Sequence, residues 1–130
     1  MPSASAIRAL IVDDQTSIRT ILRNSLAQIG IIQVSERKNG KDAVDYLDGN
    51  SVHLIISDFN MPEMNGLELL KAVRTNPKTQ KTAFIILTGE ASKDLVQEAV
   101  KGGVNNFLAK PYTVAKLKSV LEAVFGTITA

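Results

Sequence analysis

Cysteine and long apolar runs are both missing from the sequence. Without cysteine the chain can form neither disulfides nor thiolate metal sites, which fits a reducing compartment. Apolar stretches such as residues 9–12 are much shorter than the roughly 20 residues that cross a bilayer. Residues 1–6 are small and polar, without the basic start and apolar core of a secretory signal. We therefore expect a cytoplasmic protein with no membrane partner, in which residues 1–6 are frayed.

The sequence also lacks a strong excess of charge of one sign. Its formal net charge is +2 and its pI is about 9.0, with acidic and basic residues interleaved along the chain. One basic stretch without acids lies at the end of a predicted helix and in the following loop, and it comprises Lys71, Arg74, Lys78 and Lys81. We interpret this stretch as a solvated surface, and we expect no nucleic-acid partner.

Repeats, low-complexity tracts and linkers are absent as well. The 130 residues, of which 45% are apolar, suffice for one compact domain with a real core. We expect residues 1–130 to form this single domain. Because the last predicted helix ends close to residue 130, we expect no attached output domain.

The chain alternates regularly between short apolar runs and segments of helical period. The apolar runs predict five strands, at residues 8–12, 31–35, 53–57, 83–87 and 106–109. Apolar residues spaced three and four apart predict a helix after each strand. Gly30, Pro77 and Gly102 mark the ends of the first, third and fourth helices.

These strands are apolar without strict alternation, which is typical of strands buried on both faces. The pattern therefore predicts an α/β fold, a doubly wound parallel sheet of five strands in the order 2-1-3-4-5 with helices on both sides, as in the flavodoxin-like (βα)5 architecture. In such sheets the functional site lies at the carboxyl ends of the strands, near the switch point between strands 1 and 3.

Polar residues follow four of the predicted strands. Asp13 and Asp14 end strand 1, Asp58 ends strand 3, Thr88 ends strand 4 and Lys110 ends strand 5. A single aspartate after a strand is more simply explained as a loop or capping residue. Because the carboxyl ends of parallel strands meet at one edge of the sheet, the five residues together predict a site there.

Three carboxylates in one pocket repel one another, so a proton or a cation must offset their charge. Oxygen ligands around an open site suit Mg²⁺. Between that metal and Lys110, the carboxylate of Asp58 can act as a nucleophile towards phosphorus and form an acyl phosphate. The metal and Lys110 would offset charge on the phosphoryl oxygens, and the hydroxyl of Thr88 can donate a hydrogen bond to one of them.

Four motifs point to a known family: Leu-Ile-Val-Asp-Asp at residues 10–14, Asp-Phe-Asn-Met-Pro-Glu-Met-Asn-Gly at 58–66, Leu-Thr-Gly-Glu at 87–90 and Lys-Pro-Tyr-Thr at 110–113. Over residues 8–125 the chain resembles the receiver domains of two-component response regulators. Within that family it is similar to the single-domain chemotaxis regulators. The five residues of the family signature are all present.

The resemblance implies a role for each site residue. Asp58 corresponds to the phosphoacceptor, and Thr88 and Lys110 correspond to the residues that contact the phosphoryl group. The resemblance also implies the Mg²⁺ ligands. Asp14, Asp58 and the main-chain carbonyl of Asn60 would bind the ion directly, and Asp13 would bind it through a water molecule.

Further residues correspond to the switch and the rim of the family's site. Phe107 takes the place of the switch aromatic that works with the threonine, a place that often holds tyrosine; a plain core residue is the alternative. Gly89 leaves the mouth open to a phosphodonor or phosphatase, or is simply a turn glycine. The Lys110–Pro111 bond corresponds to a cis peptide. Asn60 and Glu90 correspond to rim positions that tune hydrolysis of the acyl phosphate.

The implied activity is signalling and not enzymatic turnover of a separate substrate. The resemblance implies a histidine kinase as phosphodonor, a phosphatase, and a protein target, with the flagellar motor switch favoured and the protein a monomer. The alternatives are a phosphate sink and a phosphorelay intermediate. The surface expected to contact the target is formed by helix 4, strand 5 and helix 5, including Lys93, Val96, Asn106, Tyr112 and Lys116.

Two other classes of protein share parts of this pattern. A phosphatase of the haloacid-dehalogenase class also uses a strand-end aspartate, threonine, lysine and Mg²⁺, but it needs an aspartate two residues after the nucleophile, where this chain has Asn60. A flavin carrier would surround a phosphate with Ser, Thr and Gly after strand 1, where Asp13 and Asp14 would repel it.

Overall fold

The computed structural model describes residues 3–89 and 92–129. It contains a parallel sheet of five strands in the order β2-β1-β3-β4-β5, as the sequence predicts. The strands are β1 Arg8–Val12, β2 Gln33–Arg37, β3 Leu54–Asp58, β4 Ala83–Thr88 and β5 Asn106–Ala109.

A helix follows each strand and covers one of the two faces of the sheet. The helices are α1 Thr16–Ile29, α2 Gly40–Gly49, α3 Gly66–Thr75, α4 Lys93–Lys101 and α5 Val114–Phe125. Across residues 3–89 and 92–129, none of the helices is both long enough and apolar enough to cross a bilayer.

Alternate residues of the central strands supply two separate cores. In β1, Ile11 packs with α1 and α5, whereas Leu10 packs with α2 and α3. All six residues of β4 and all five of β3 are buried, so both faces of these strands are covered. The sheet is thus held between two apolar layers, which fixes the strand ends relative to one another.

Strand β2 lies two residues later in the chain than the prediction of 31–35. Ile31 is fully buried, but its amide donates to the carbonyl of Leu26 at the end of α1, 2.9 Å away, and not to the sheet. Ile32 is 66% exposed. The apolar residues therefore mark the turn before the edge strand, and the strand itself carries polar residues such as Glu36 that have partners on α1.

The expectation of a frayed start is wrong for residues 3–6. Ala4–Ala6 form a short 3₁₀ helix, and Ala4 is fully buried. The amide of Ala4 donates to the carbonyl of Thr129, 2.7 Å away, and Ser3 forms a parallel bridge with the same residue. Ser3 and Ala4 therefore pair with Thr129 over the α1–α5 core, a contact between residues too distant in sequence for composition to reveal.

Arg74, which the sequence pattern places on a solvated basic surface, instead anchors several main-chain groups at the end of the sheet opposite the acidic residues. Its guanidinium donates to the carbonyls of Gly103 (2.9 Å from Nη2) and Thr82 (2.6 Å from Nη1) and to Asn105 Oδ1 (2.9 Å). Asn105 Oδ1 also accepts the amide of Phe84, 2.7 Å away. Partial burial lowers the pKa of Arg74. Arg74 thus ties the end of α3 to the loops that precede β4 and β5.

We expect Arg74→Met to lower the free energy of unfolding by about 2 kcal/mol, because the substitution removes the charged donor from several oxygen acceptors at once. Urea unfolding followed by circular dichroism measures this loss. Lys71→Met on the same helix is the matched control, since Lys71 is exposed and its change should leave the free energy within about 0.5 kcal/mol of the wild type. Equal effects of the two substitutions would contradict the anchoring role.

Candidate functional site

Three carboxylates meet at the carboxyl edge of the sheet. Asp13 and Asp14 follow β1, and Asp58 is the last residue of its neighbour β3. One oxygen from each carboxylate lies within 4.8 Å of the other two. Asp13 and Asp58 are buried and Asp14 is exposed, so the cluster opens to solvent on the Asp14 side.

Lys110 supplies the opposite charge. Its ammonium Nζ lies 2.8 Å from Asp58 Oδ1, and the Asp58 side chain is only 8% exposed. The backbone amide of Lys110 donates to the carbonyl of Thr88, 2.8 Å away, which continues the β4–β5 pairing past the strand end. The Lys110–Pro111 peptide is cis, as the resemblance implies.

The backbone around Asp58 is held from two sides. Ser57 Oγ donates to the carbonyl of Asp58, 2.9 Å away. A Cβ placed on Gly66 would lie 2.9 Å from that same carbonyl oxygen, so only glycine lets the first turn of α3 approach the strand end this closely. Asn65 caps α3 by accepting from Glu68, and the Glu68 side chain accepts from Asn65 in return.

Asp13 shows the electrostatic cost of the cluster. Burial raises the pKa of Asp13, the amide of Gln15 opposes this by donating to Asp13 Oδ1 at 2.8 Å, and repulsion from Asp58 raises it further. The second oxygen, Oδ2, is buried without a hydrogen-bond partner among residues 3–89 and 92–129. A buried carboxylate oxygen without a donor is costly, so this atom calls for a cation or a cation-bound water.

The donor set fits a hard divalent cation. Among the described residues, three carboxylates face the ammonium of Lys110, and the groups gathered at the cluster are oxygen donors without sulfur or imidazole. Mg²⁺ prefers such oxygens and retains several waters, which suits a cluster that is open on one side. The residues that could hold it are the three aspartates.

Thr88 and Gly89 lie beside the phosphoacceptor candidate at the mouth of a groove. Thr88 follows Leu87, the β4 partner of Asp58, and is buried. Beyond Gly89 and its chain neighbours, no atom of residues 3–89 and 92–129 would lie within 4 Å of a Cβ at Gly89, so the described part of the chain leaves the space in front of this residue open. The groove continues to α4, and it is lined by Phe59, Asn60, Leu67, Thr88, Gly89, Ser92 and Leu95 among others. Asn60 is exposed at its rim, whereas Glu90 lies outside the described residues.

Phe107 and Tyr112 lie on different sides of the sheet. Phe107 is half-buried in β5 and packs against the core beneath α2, α3 and α4. The Tyr112 hydroxyl lies 3.2 Å from Ser25 Oγ on α1, and the residue packs against the α1–α5 core. The expectation that Tyr112 belongs to the surface of α4, β5 and α5 is therefore wrong, because this hydrogen bond turns its ring towards α1.

Arg19 lies next to the cluster, and the sequence does not predict a role for it. Arg19 Nη1 donates to the main-chain carbonyl of Asp13, 2.6 Å away. Its Nε donates to Glu36 on β2, 3.2 Å away. A basic residue in the first turns of an amphipathic helix carries no signal that separates this contact from ordinary exposure to solvent.

The fold and the cluster define the class of protein. Residues 9–122 match the response regulator receiver domain family, and the chain belongs to that family. This confirms the family resemblance read from the motifs.

Within this family, the chain is similar over nearly its full length to receiver proteins named CheY. A probable chemotaxis protein CheY of Rhizobium etli is 48% identical over 128 residues, covering 98% of this chain and 99% of the relative. Chemotaxis protein CheY1 of Helicobacter pylori is 42% identical over 122 residues, covering 93% and 98%. The structure of chemotaxis protein CheY4 of Vibrio cholerae superimposes with a TM-score of 0.85 at 34% identity, covering 91% of this chain and 98% of that chain.

We expect Asp13→Asn to stabilise the metal-free protein at neutral pH. A carboxyl whose pKa is raised on folding contributes stability at low pH and loses it as the pH rises through the raised value. Asparagine keeps an oxygen for the Gln15 amide but carries no charge. Urea unfolding in EDTA should therefore give a higher midpoint for the variant at pH 7, and the difference should shrink as the pH falls.

The exposed Asp45→Asn on α2 is the matched control and should leave the midpoint unchanged. A metal-free Asp13→Asn protein that is no more stable than the wild type at pH 7 would show that the buried, ionised carboxylate of Asp13 does not destabilise the folded protein.

Proposed function

We propose that this protein is a phosphorylation-activated response regulator that accepts a phosphoryl group on Asp58 from a histidine kinase. The observation that carries the proposal is the placement of the Asp58 carboxylate, buried at a strand end, 2.8 Å from the Lys110 ammonium and beside two further carboxylates. This arrangement gives one nucleophilic oxygen, one cation already in place and a site for a second cation.

The transfer exchanges one bond to phosphorus for another. The bond between phosphorus and the imidazole nitrogen of the donor breaks, and a bond between phosphorus and a carboxylate oxygen of Asp58 forms. Asp13, Asp14, Asp58 and the main-chain carbonyl of Asn60 are the groups that would hold Mg²⁺, which supplies charge neutralisation at the phosphoryl oxygens. Because a carboxylate oxygen attacks phosphorus without losing a proton, the step needs no general base.

Lys110 and Thr88 contact the transferred group in this proposal. The Lys110 ammonium, held by its pairing with Asp58, exchanges that carboxylate oxygen for a phosphoryl oxygen. The Thr88 hydroxyl donates to another phosphoryl oxygen. Since the amide of Lys110 donates to the carbonyl of Thr88, the two residues respond to the phosphoryl group as a connected pair.

The signal leaves the site through Thr88 and Phe107. An acyl phosphate brings about two negative charges to Asp58, and Thr88 moves towards them. The movement alters the space between β4 and α4 into which the half-buried ring of Phe107 can turn. The two changes favour each other, so they form one two-state element that alters the surface of α4, β5 and α5, including Lys93, Val96, Asn106 and Lys116.

We propose that this surface binds the flagellar motor switch. The support is the similarity to relatives that are named as chemotaxis proteins, over nearly the full length of each. Asn60 and Gly89, together with Glu90 as the family resemblance implies, would set the rate at which water or a phosphatase removes the phosphoryl group. A phosphate sink or a phosphorelay intermediate would use the same phosphoacceptor without this target.

Asp58→Asn should abolish modification by acetyl phosphate, because an amide is a poor nucleophile and contributes no charge to the metal site. Intact-protein mass spectrometry with Mg²⁺ present should show one added phosphoryl group on the wild type and on Asp45→Asn. It should show none on Asp58→Asn, and none on any of the three proteins in EDTA. Full labelling of Asp58→Asn would contradict the assignment of the phosphoacceptor.

Thr88→Ala should separate the site from the output surface. We expect Mg²⁺ binding to persist, because Thr88 is not among the proposed ligands. The NMR shift changes of α4 and β5 on adding beryllofluoride, a phosphoryl mimic, should fall to less than half of the wild-type values. Thr88→Ser, which keeps the hydroxyl, should retain most of the response, and an undiminished response in Thr88→Ala would argue against this route.

A further inference from the structure

Arg19 reaches from the first turns of α1 to the loop that carries the acidic cluster. Its side chain is only 15% exposed, although arginine is usually solvated. Nη1 lies 2.6 Å from the Asp13 carbonyl oxygen and Nη2 lies 3.1 Å from Thr16 Oγ1. Nε lies 3.2 Å from Glu36 Oε1. The guanidinium therefore makes three contacts in three directions, which fixes its position.

The contact with Arg19 completes the hydrogen bonding of the Asp13 backbone. The amide of Asp13 donates to the carbonyl of Arg37 on β2, 3.1 Å away. Its carboxylate Oδ1 accepts from the amide of Gln15, and its carbonyl accepts from Arg19. Oδ2 is then the Asp13 oxygen left for a cation or its water, and its direction is determined by the three bonds around it.

The hydrogen bond from Arg19 to the Asp13 carbonyl also restrains the backbone of Asp14. The Asp13 carbonyl belongs to the planar peptide that joins Asp13 to Asp14, so holding its oxygen holds the plane and the Cα of Asp14. Within residues 3–89 and 92–129, no hydrogen bond or ion pair is made by the exposed carboxylate of Asp14. The orientation of the Asp14 carboxylate towards the cluster therefore depends on the position of its backbone. Arg19 restrains this backbone through its hydrogen bond to the Asp13 carbonyl.

Glu36 holds Arg19 in turn. Its Oε1 accepts from Arg19, and its Oε2 accepts from Arg23 Nε at 2.8 Å. Arg23 also donates to the carbonyl of Val34, 2.8 Å away, but it makes no contact with Asp13 or Asp14 among the described residues. Two arginines on successive turns of α1 thus share the Glu36 carboxylate on β2. One of them, Arg19, also contacts the loop that carries the acidic cluster.

We propose that Arg19 is a positioning residue for the Mg²⁺ site, acting through the Asp13 carbonyl to aim the carboxylates of Asp13 and Asp14. The inference rests on the proposed function, because it presumes that this cluster binds the cation. It assigns to Arg19 no contact with the metal or the phosphoryl group.

The direction in which Mg²⁺ affinity changes when Arg19 is replaced distinguishes a positioning role from a purely electrostatic one. A guanidinium next to the cluster repels a divalent cation, so removal of its charge alone would strengthen Mg²⁺ binding. Removal of a group that aims the ligands weakens binding, typically by tenfold or more for partners of metal ligands. The two effects are opposite in direction.

The test is a Mg²⁺ titration of the full chain, followed by the NMR shift of the Asp14 amide. We expect the dissociation constant to rise by about tenfold in Arg19→Met. Arg19→Lys keeps the charge, but one ammonium cannot make all three contacts, so it should give a smaller rise. Arg23→Met removes the other arginine bound to Glu36 and should stay within about twofold of the wild type.

Urea unfolding in EDTA accompanies each titration and shows that the variant is folded; if Arg19→Met does not fold, Arg19→Lys carries the test. An Arg19 variant that folds and binds Mg²⁺ as tightly as the wild type, or more tightly, would overturn the inference. So would an equal loss in Arg23→Met. Failure of the wild type itself to bind Mg²⁺ would instead overturn the metal site, and with it the proposed function on which the inference rests.

Discussion

Mutual repulsion among Asp13, Asp14 and Asp58 is the constraint on which the functional part of the structure depends. Parallel pairing of β1 with β3 brings their carboxyl ends together, so the repulsion follows from the fold itself. Lys110 offsets part of it through a 2.8 Å contact with Asp58. Burial in the first place, and repulsion from Asp58 in addition, raise the pKa of Asp13. An excess of negative charge of this kind favours the binding of a cation, and in the proposed function that cation would offset charge on a phosphoryl group.

Holding such a cluster in place requires support that the carboxylates cannot provide. Apolar layers on both faces of the sheet fix the strand ends. Gly66 lets α3 approach the Asp58 carbonyl closely, Ser57 bonds to the same carbonyl, and Arg19 bonds to the carbonyl of Asp13. These contacts act on the backbone, so they orient the carboxylates without neutralising them. The charge therefore remains available for a cation, as the proposed phosphorylation switch requires.

The sequence predicts the fold and the central cluster well because both depend on local patterns. Strands β1 and β5 lie where the apolar runs place them, and the predicted acidic, threonine and lysine residues lie at the carboxyl ends of the strands to which they were assigned. The polar edge strand β2 was placed two residues early, since apolar Ile31 packs against α1 and not within the sheet.

Long side chains account for most of what the sequence does not reveal. Arg74 and Arg19 both bond to main-chain carbonyls, and every residue has a carbonyl, so no residue type marks the target. Tyr112 turns towards α1 through a hydrogen bond to Ser25, 87 positions away in the chain. Such contacts depend on the assembled tertiary structure and leave no periodic trace.

The central claim is that the acidic cluster at the end of β1 and β3 takes a cation and a phosphoryl group together at Asp58. Fluorine-19 NMR of the wild-type protein with beryllofluoride tests it most directly, because a bound trifluoride gives resonances distinct from those of free fluoride complexes. We expect bound resonances in the presence of Mg²⁺ and their loss on addition of EDTA or in Asp58→Asn. Bound resonances that persist without a divalent cation, or that survive in Asp58→Asn, would contradict the account.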